Sequence, residues 1–108
     1  MSHQEHQSCI DACVGCAQQC EHCGDACIRE NRPDCARICI DCAEICWSAA
    51  GYMSRGSSQI MGVCRLCAEI CDACSAECEK HDNEHCRRCA DACRHCADEC
   101  RAMAGAMT

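Results

Sequence analysis

Small apolar residues recur every three or four positions along most of the chain, and charged residues fill many of the positions between them. Most of the recurring residues are cysteine, and within each run the steps alternate between three and four residues. That alternation is typical of the side of an α-helix that faces a bundle interior. The four runs consist of Cys9, Cys13, Cys16, Cys20, Cys23 and Cys27; Cys35, Cys39, Cys42 and Cys46; Cys64, Cys67, Cys71, Cys74 and Cys78; and Cys86, Cys89, Cys93, Cys96 and Cys100. The pattern therefore predicts four helices that place thiols where other bundles place leucine.

The breaks between the runs predict where the helices begin and end. Pro33 suits the first turn of a helix, where no backbone N–H is needed for the helical ladder. Ser57 or Ser58 is the predicted N-cap of the third helix, and Asp82 or Asn83 is the predicted cap of the fourth. The predicted helices cover residues 3–29, 33–53, 58–80 and 83–104.

The lengths of the connections predict the topology. Short first and third connections favour antiparallel helical hairpins. The predicted fold is all-α, an antiparallel up-down-up-down four-helix bundle with a cysteine-lined core. The chain has the length of one domain, and we expect residues 1–108 to form it.

The composition makes this core unusual. The chain has one leucine, two valines, seven isoleucines and no phenylalanine, and its formal net charge is −7. Such a composition normally favours disorder. Cysteine changes that expectation, because a free cysteine packs as a small buried hydrophobic residue. We therefore expect a thin core that is already helical without metal and that bound metal stabilises further.

Several functional classes fit the sequence poorly. A secreted disulfide scaffold scatters its cysteines over loops, whereas these stand in helical register; a few oxidised interhelical pairs remain an open alternative. The first residues show no signal peptide, which leads us to expect a cytoplasmic location. No apolar run is long enough to cross a membrane, and the negative charge argues against nucleic-acid binding. No acid–base pair or nucleophile motif supports an enzyme.

The thiol ladders point to a soft metal ion. Cu(I) prefers thiolate ligands, and two thiols one helical turn apart can hold it from a single helix. Tetrahedral zinc sites and iron–sulfur clusters require four converging cysteines, which continuous ladders do not obviously supply. Since each Cu(I) can replace one thiol proton, charge balance gives on the order of one copper per cysteine, or about 20 per chain. A Zn(II)/Cd(II) thiolate sponge of metallothionein type and, less favoured, an Fe–S redox protein are the alternatives.

The four ladders, together with the segment CEKHDNEHC from Cys78 to Cys86, make the chain resemble the bacterial copper storage proteins. The resemblance covers essentially the whole chain and matches the cytosolic branch, since no export signal is visible. It implies a four-helix bundle that fills its core with Cu(I). It also implies a homo-oligomer, a tetramer of bundles. The expected partners are copper ions and a copper chaperone or small-molecule carrier, with no nucleic acid and no membrane.

Two histidines join the twenty cysteines as candidate metal ligands. His81 lies one step beyond Cys78 in the rhythm of the third helix, and His85 lies beside it. We expect copper to enter at this end, where carboxylates such as Glu30 concentrate cations. His22 and His95 each precede a cysteine and so are expected at the surface.

The opposite end of the bundle is expected to be mostly apolar. Continuing each cysteine run past its last thiol in that direction reaches a different set of side chains. They are His6, Met53, Ile60, Met103 and Met107. The methionines are expected chiefly to fill gaps in the core.

Overall fold

The computed structural model describes residues 6–106 and contains four long helices. They are α1 (Gln7–Arg29), α2 (Pro33–Ser54), α3 (Ile60–Cys78) and α4 (Glu84–Ala106). No strand occurs within the described residues. Each helix packs against the helices before and after it in the chain, and α4 closes the ring against α1. The predicted all-α, up-down-up-down bundle is confirmed. It measures 43 × 19 × 18 Å.

The helix ends agree with part of the predicted capping. Pro33 is the first residue of α2, and Asn83 caps α4, since its Oδ1 accepts a hydrogen bond of 2.9 Å from the backbone N–H of Cys86. The predicted serine cap of α3 is wrong. That helix begins at Ile60, and Ser57 Oγ instead accepts a hydrogen bond of 3.0 Å from the backbone N–H of Gln59. The connection between α2 and α3 therefore ends in a serine turn rather than in a serine cap.

The predicted helix limits differ from the observed ones by a few residues. The third helix ends at Cys78 rather than at residue 80, whereas α4 continues to Ala106 and α2 to Ser54. The predicted start of the first helix at residue 3 lies outside the described residues. In the tight turn between α1 and α2, Asn31 adopts a φ of 60°, a left-handed conformation that asparagine tolerates better than most residues. That turn allows α2 to reverse direction within three residues of the end of α1.

The core consists mostly of cysteine and alanine. Every cysteine side chain is buried, and alanines such as Ala17, Ala49 and Ala97 are fully buried beside them. Because alanine is small, the helices can approach closely enough for thiols on opposite helices to touch. Charged side chains cover the outside, and Arg101 of α4 pairs with Asp72 of α3 at 2.7 Å. Among residues 6–106, no helix combines the length and the apolar character needed to cross a membrane.

Candidate metal-binding core

The twenty thiols lie in a column along the bundle axis. Each cysteine is at most 1% exposed, and all twenty are free. Cys42 Sγ lies 3.6 Å from Cys71 Sγ on the neighbouring helix and 3.8 Å from Cys93 Sγ on the helix diagonally opposite. Cys42 Sγ is also 4.0 Å from Cys46 Sγ on its own helix. The sulfur atoms therefore contact one another within ladders, between neighbouring helices and across the axis.

The thiols also converge in groups of four, which corrects the expectation that ladders would not supply such groups. In each group, the four Sγ atoms lie within 4.8 Å of one another. The groups include Cys13, Cys67, Cys96 and Cys100; Cys16, Cys20, Cys42 and Cys93; Cys16, Cys46, Cys71 and Cys96; Cys20, Cys74, Cys89 and Cys93; and Cys23, Cys35, Cys78 and Cys86. The spacing of cysteines along the chain describes one helix at a time, whereas the bundle brings three or four ladders together at one level.

The sulfur separations suit a thiolate-bound metal. A metal–thiolate bond of about 2.3 Å places two sulfurs about 4.0 Å apart in a trigonal site and about 3.8 Å apart in a tetrahedral site. The observed contacts run from 3.6 Å for Cys16 and Cys93 to 4.0 Å for Cys23 and Cys27. Metal ions can therefore enter with small side-chain adjustments and no rearrangement of the helices. The geometry fits a soft trigonal ion and a tetrahedral ion about equally.

Burial governs the protonation of thiols at the ends of the ladders. Removal from water raises the pKa of Cys27 and of Cys35 above the ordinary thiol value, and it raises the pKa of Cys86 to about 12. The charged thiolate loses its hydration when it is buried, so the neutral thiol is favoured. An incoming cation must therefore displace protons from these sulfurs.

Neighbouring thiols in the middle of the core differ in which of them donates the proton. A hydrogen bond with Cys16 lowers the pKa of Cys42, whereas a hydrogen bond with Cys16 raises the pKa of Cys46. A sulfur that accepts S–H hydrogen bonds is stabilised as a thiolate, and a sulfur that donates one is stabilised as a thiol. The core is thus a connected network in which protons and thiolate character are shared.

His85 lies at the mouth of the column. Its Nδ1 atom is 3.2 Å from Cys23 Sγ and 3.6 Å from Cys86 Sγ, and its Nε2 atom is 2.9 Å from Glu30 Oε1. When the ring is neutral, an Nε2–H that donates to the Glu30 carboxylate leaves the Nδ1 lone pair facing the thiols. A carboxylate behind a ligating imidazole is a common arrangement in metal sites, because it fixes the tautomer and the ring orientation.

At this mouth, the pKa of Cys23 is lowered and the pKa of His85 is raised. A hydrogen bond with Cys39 is the largest cause that lowers the pKa of Cys23 to about 5, and His85 contributes in the same direction. Burial opposes protonation of His85, but hydrogen bonds to Cys23 and Glu30 raise the pKa of its ring above the ordinary value. The lowered pKa of Cys23 favours its thiolate form, beside an imidazole whose two ring nitrogens face Cys23 and Glu30. A low-pKa thiol at the mouth is well suited to first capture of a cation.

His22 lies closer to this mouth than sequence reasoning recognised. It is exposed, as expected, but its ring lies edge-on to the ring of His85, with the centroids 6.4 Å apart. The only signal in the sequence was its position directly before Cys23. His95, the other histidine expected at the surface, is exposed.

His81 occupies a different environment from His85. Its Nε2 atom lies 3.0 Å from Glu77 Oε2, and the side chain is half-buried. Because α3 ends at Cys78, His81 lies in the turn after the helix, along a surface groove that Asp82 also lines. Among the contacts of the described residues, His81 has none with a thiol, so its role as a ligand stays a prediction.

The opposite end of the column is closed. His6, Met53 and Ile60 are at most 2% exposed, and Met103 is half-buried. Met107 lies outside the described residues. Neither ring nitrogen of His6 has a hydrogen-bond partner among residues 6–106. The end that was expected to be apolar therefore contains one buried imidazole.

Comparison with known proteins shows a clear relationship. A family model described as copper storage protein matches residues 2–105. Among curated protein sequences, none matches this chain.

Solved structures with the same fold cover nearly the whole chain. The apo form of copper storage protein 3 from Bacillus subtilis is 45% identical, with a TM-score of 0.87, over 91% of this chain and 97% of that chain. A Cu(I)-bound copper storage protein is 42% identical, with a TM-score of 0.87, over 91% of this chain and 96% of that chain. A cytosolic copper storage protein from Streptomyces lividans, solved with five coppers, is 35% identical, with a TM-score of 0.89, over 95% of this chain and 94% of that chain.

Proposed function

Because the chain belongs to the copper storage protein family, we propose that it stores Cu(I) in the bundle core at on the order of one ion per cysteine. The observation that carries the proposal is the column of twenty buried free thiols with sulfur contacts of 3.6–4.0 Å. Storage of this kind keeps Cu(I) away from water and from other thiols in the cell. The protein thereby contributes to copper detoxification and homeostasis and is not an enzyme.

Copper is favoured over zinc by affinity rather than by shape. The converging groups of four thiols would also accommodate tetrahedral Zn(II) or Cd(II). Cu(I) is the softer ion and prefers thiolate, and it also accepts the two- and three-coordinate sites that adjacent ladders provide. Each Cu(I) that replaces a thiol proton leaves the buried site neutral, which avoids the high cost of a charged core.

The test is an anaerobic titration of fully reduced protein against a chromogenic chelator that competes for Cu(I). We expect about 20 Cu(I) to be withheld from the chelator per chain, from the charge balance of one ion per thiol. Parallel titration with Zn(II) should give a much lower uptake. Saturation below about half the number of cysteines would refute storage at this stoichiometry. A brown protein with visible absorption bands would instead support an Fe–S cluster.

We assign all twenty cysteines as copper ligands, together with His81 and His85. His85 has the stronger geometric support, since its Nδ1 atom faces two thiols and its Nε2 atom is held by Glu30. His81 would have to exchange its contact with Glu77 for a contact with copper.

We place the entrance for copper at the end of the bundle that contains His85. Cys23 offers a thiolate there, whereas the opposite end is sealed by buried Met53 and Ile60. Replacing His81 and His85 together with alanine should slow uptake and change the final capacity by no more than about two ions, because only the two imidazoles are lost. The matched control is His95→Ala, which removes an exposed imidazole.

A second replacement distinguishes the two ends. Met53, Met103 and Met107 changed together to leucine should leave the uptake rate unchanged, since leucine conserves their volume and apolar character. Unchanged uptake in the histidine variant together with slow uptake in the methionine variant would place the entrance at the opposite end.

The proposed setting is the cytoplasm, with a copper chaperone or a small-molecule carrier delivering the ion, and without nucleic acid or membrane as a partner. The net charge of −7 and the lack of a basic surface stripe support this choice of partners. Cell fractionation tests the location. Loss of the protein should make cells more sensitive to copper, and unchanged sensitivity would argue against a role in detoxification.

The protein is also proposed to form a homo-oligomer, a tetramer by analogy with the family. Ile28, Ile40 and Trp47 are exposed by 60%, 44% and 42% on the outer face of α1 and α2. Trp47 Nε1 donates a hydrogen bond of 3.2 Å to Glu21 across these two helices, so the face is continuous. Light scattering should show an oligomer that Trp47→Asp weakens. A monomeric wild-type protein would refute the proposal.

A further inference from the structure

The buried imidazole of His6 is the one ionisable group at the closed end of the core that lacks a partner among residues 6–106. The side chain is 2% exposed, and both Nδ1 and Nε2 are buried without a hydrogen bond. Burying a polar ring without a partner destabilises the protein. A buried imidazole without a hydrogen-bond partner therefore indicates that a ligand binds it in the functional protein.

The topology places His6 directly above the last layer of thiols. It stands at the N-cap of α1, three residues before Cys9, so its side chain continues the cysteine ladder of that helix. Cys9 Sγ lies 3.7 Å from Cys100 Sγ, at the end where α4 finishes. Cys64, the first cysteine of α3, is also fully buried at this end, so three helices bring thiols to this layer.

The remaining helix, α2, does not contribute a thiol to this layer. The last cysteine of α2 is Cys46, and the following core positions are Ala49 and Ala50, which are buried. The next buried side chain along the same face is Met53. Copper ions at this end of the column therefore have fewer thiolates available than ions in the middle. Imidazole and thioether are the two softer donors that remain.

Charge also favours a neutral donor here. One Cu(I) with one thiolate is neutral, and imidazole or thioether completes its coordination without adding charge to a site closed to water. A further thiolate adds negative charge unless a second Cu(I) shares it, and burial penalises that charge.

We propose that His6 binds a Cu(I) ion together with Cys9 and thereby closes the thiol column at the end opposite His85. The Met53 thioether is the additional donor at this site. The inference rests on the proposed storage of Cu(I), but it concerns one terminal ion only. If His6 proves not to be a ligand, the stoichiometry of the thiol core is unaffected.

The decisive measurement is NMR of protein labelled with ¹⁵N in the histidine rings, because Cu(I) is diamagnetic. During titration to saturation, the His6 ring nitrogen that binds copper should shift strongly, and the signals of exposed His95 should stay in place. His6 signals that stay unchanged at saturation would overturn the proposal.

Two variants provide a second readout. His6→Leu should lower the saturating copper content by about one ion per chain, since one terminal set of donors is lost. Without metal, the same variant should be at least as stable as the wild type, because it removes an unpaired buried polar ring. Met53→Leu conserves volume and should weaken retention of the last ion without altering His6 in the apo protein. An unchanged copper content in His6→Leu would contradict the assignment, whereas a loss of most of the copper would contradict the proposed function itself.

Discussion

Removal of one central thiol separates the packing role of cysteine from its role as a ligand. Cys46 is fully buried, and its Sγ atom lies 3.7–4.0 Å from the sulfurs of four other cysteines. The replacement Cys46→Ala deletes that sulfur and leaves the backbone helical. Two independent consequences are expected, one for the apo protein and one for the copper content.

The loss of stability follows from the size of the deleted atom. Removing a group about as large as a methylene costs about 0.8 kcal/mol of apolar transfer energy. A residual cavity of about 20 Å³ adds about 0.5 kcal/mol at about 24 cal/mol per Å³. The free energy of unfolding of the reduced apo protein should therefore fall by about 1.3 kcal/mol, which lowers its melting temperature by about 5 °C.

The loss of copper follows from charge balance. If each Cu(I) replaces one thiol proton, deleting one thiol should lower the saturating copper content by about one ion, although Cys46 contacts four other thiols. The assay is a melt by circular dichroism for stability and a chelator-competition titration for copper. The matched control is Ile60→Val, which removes one buried methyl group at a cost of about 0.5–1.5 kcal/mol and no ligand. A copper content that does not change, or that falls by about four ions, would refute the assumption of one ion per thiol.

Three further outcomes are expected. Reduced apo protein should show strong helical circular dichroism and one cooperative transition over residues 1–108, which copper shifts to higher temperature; a random-coil spectrum would contradict a preformed core. Copper uptake should slow as the pH falls through the raised pKa of His85, since imidazolium cannot bind Cu(I), and in His85→Ala this imidazole-dependent decrease should disappear; identical pH profiles would exclude His85. Gly15→Ala should raise the unfolding free energy by about 0.5–1 kcal/mol at unchanged copper content, because Gly15 lies within α1 and an added Cβ meets nothing within 4 Å.

The pKa shifts of His85 and Cys23 have opposite effects on stability as the pH changes. The raised pKa of His85 means that its contribution to stability is present below the unfolded value and is lost as the pH rises through the folded value. The lowered pKa of Cys23 means that its contribution is present above the unfolded thiol value and is lost as the pH falls through about 5. The free energy of unfolding of the apo wild type should fall both as the pH rises and as the pH falls. In His85→Ala it should fall only as the pH falls.

The bundle followed from the sequence because the spacing of cysteine carries the same information as the spacing of leucine in other bundles. The alternation of three and four residues identified the buried face of every helix, and each of the twenty cysteines is buried. Asn83 could also be recognised as a cap, since capping is a local interaction. Ser57 could not be excluded as a cap, because the path of the preceding loop decides which backbone N–H its hydroxyl meets.

The details of the site were less accessible to sequence reasoning, because they depend on contacts between helices. The groups of four thiols arise only when separate ladders meet at one level. The contact of His85 with Cys23 and Glu30 joins residues at least 55 positions apart in the chain. For His81, the helical register of the cysteines ends with α3 at Cys78, so its role as a ligand stays a prediction.

The use of cysteine as both core residue and ligand explains how one fold can accommodate an empty and a filled state. A protonated thiol is a neutral, weakly polar group that packs in the core, and a thiolate that carries Cu(I) is again neutral in sum. Loading can therefore proceed without placing net charge in the interior, where charge is costly. Helices that already bring their sulfurs to metal-binding distances have little reason to rearrange. Cys23, whose lowered pKa favours the thiolate, lies beside His85 at the mouth, and there it can attract the first ion.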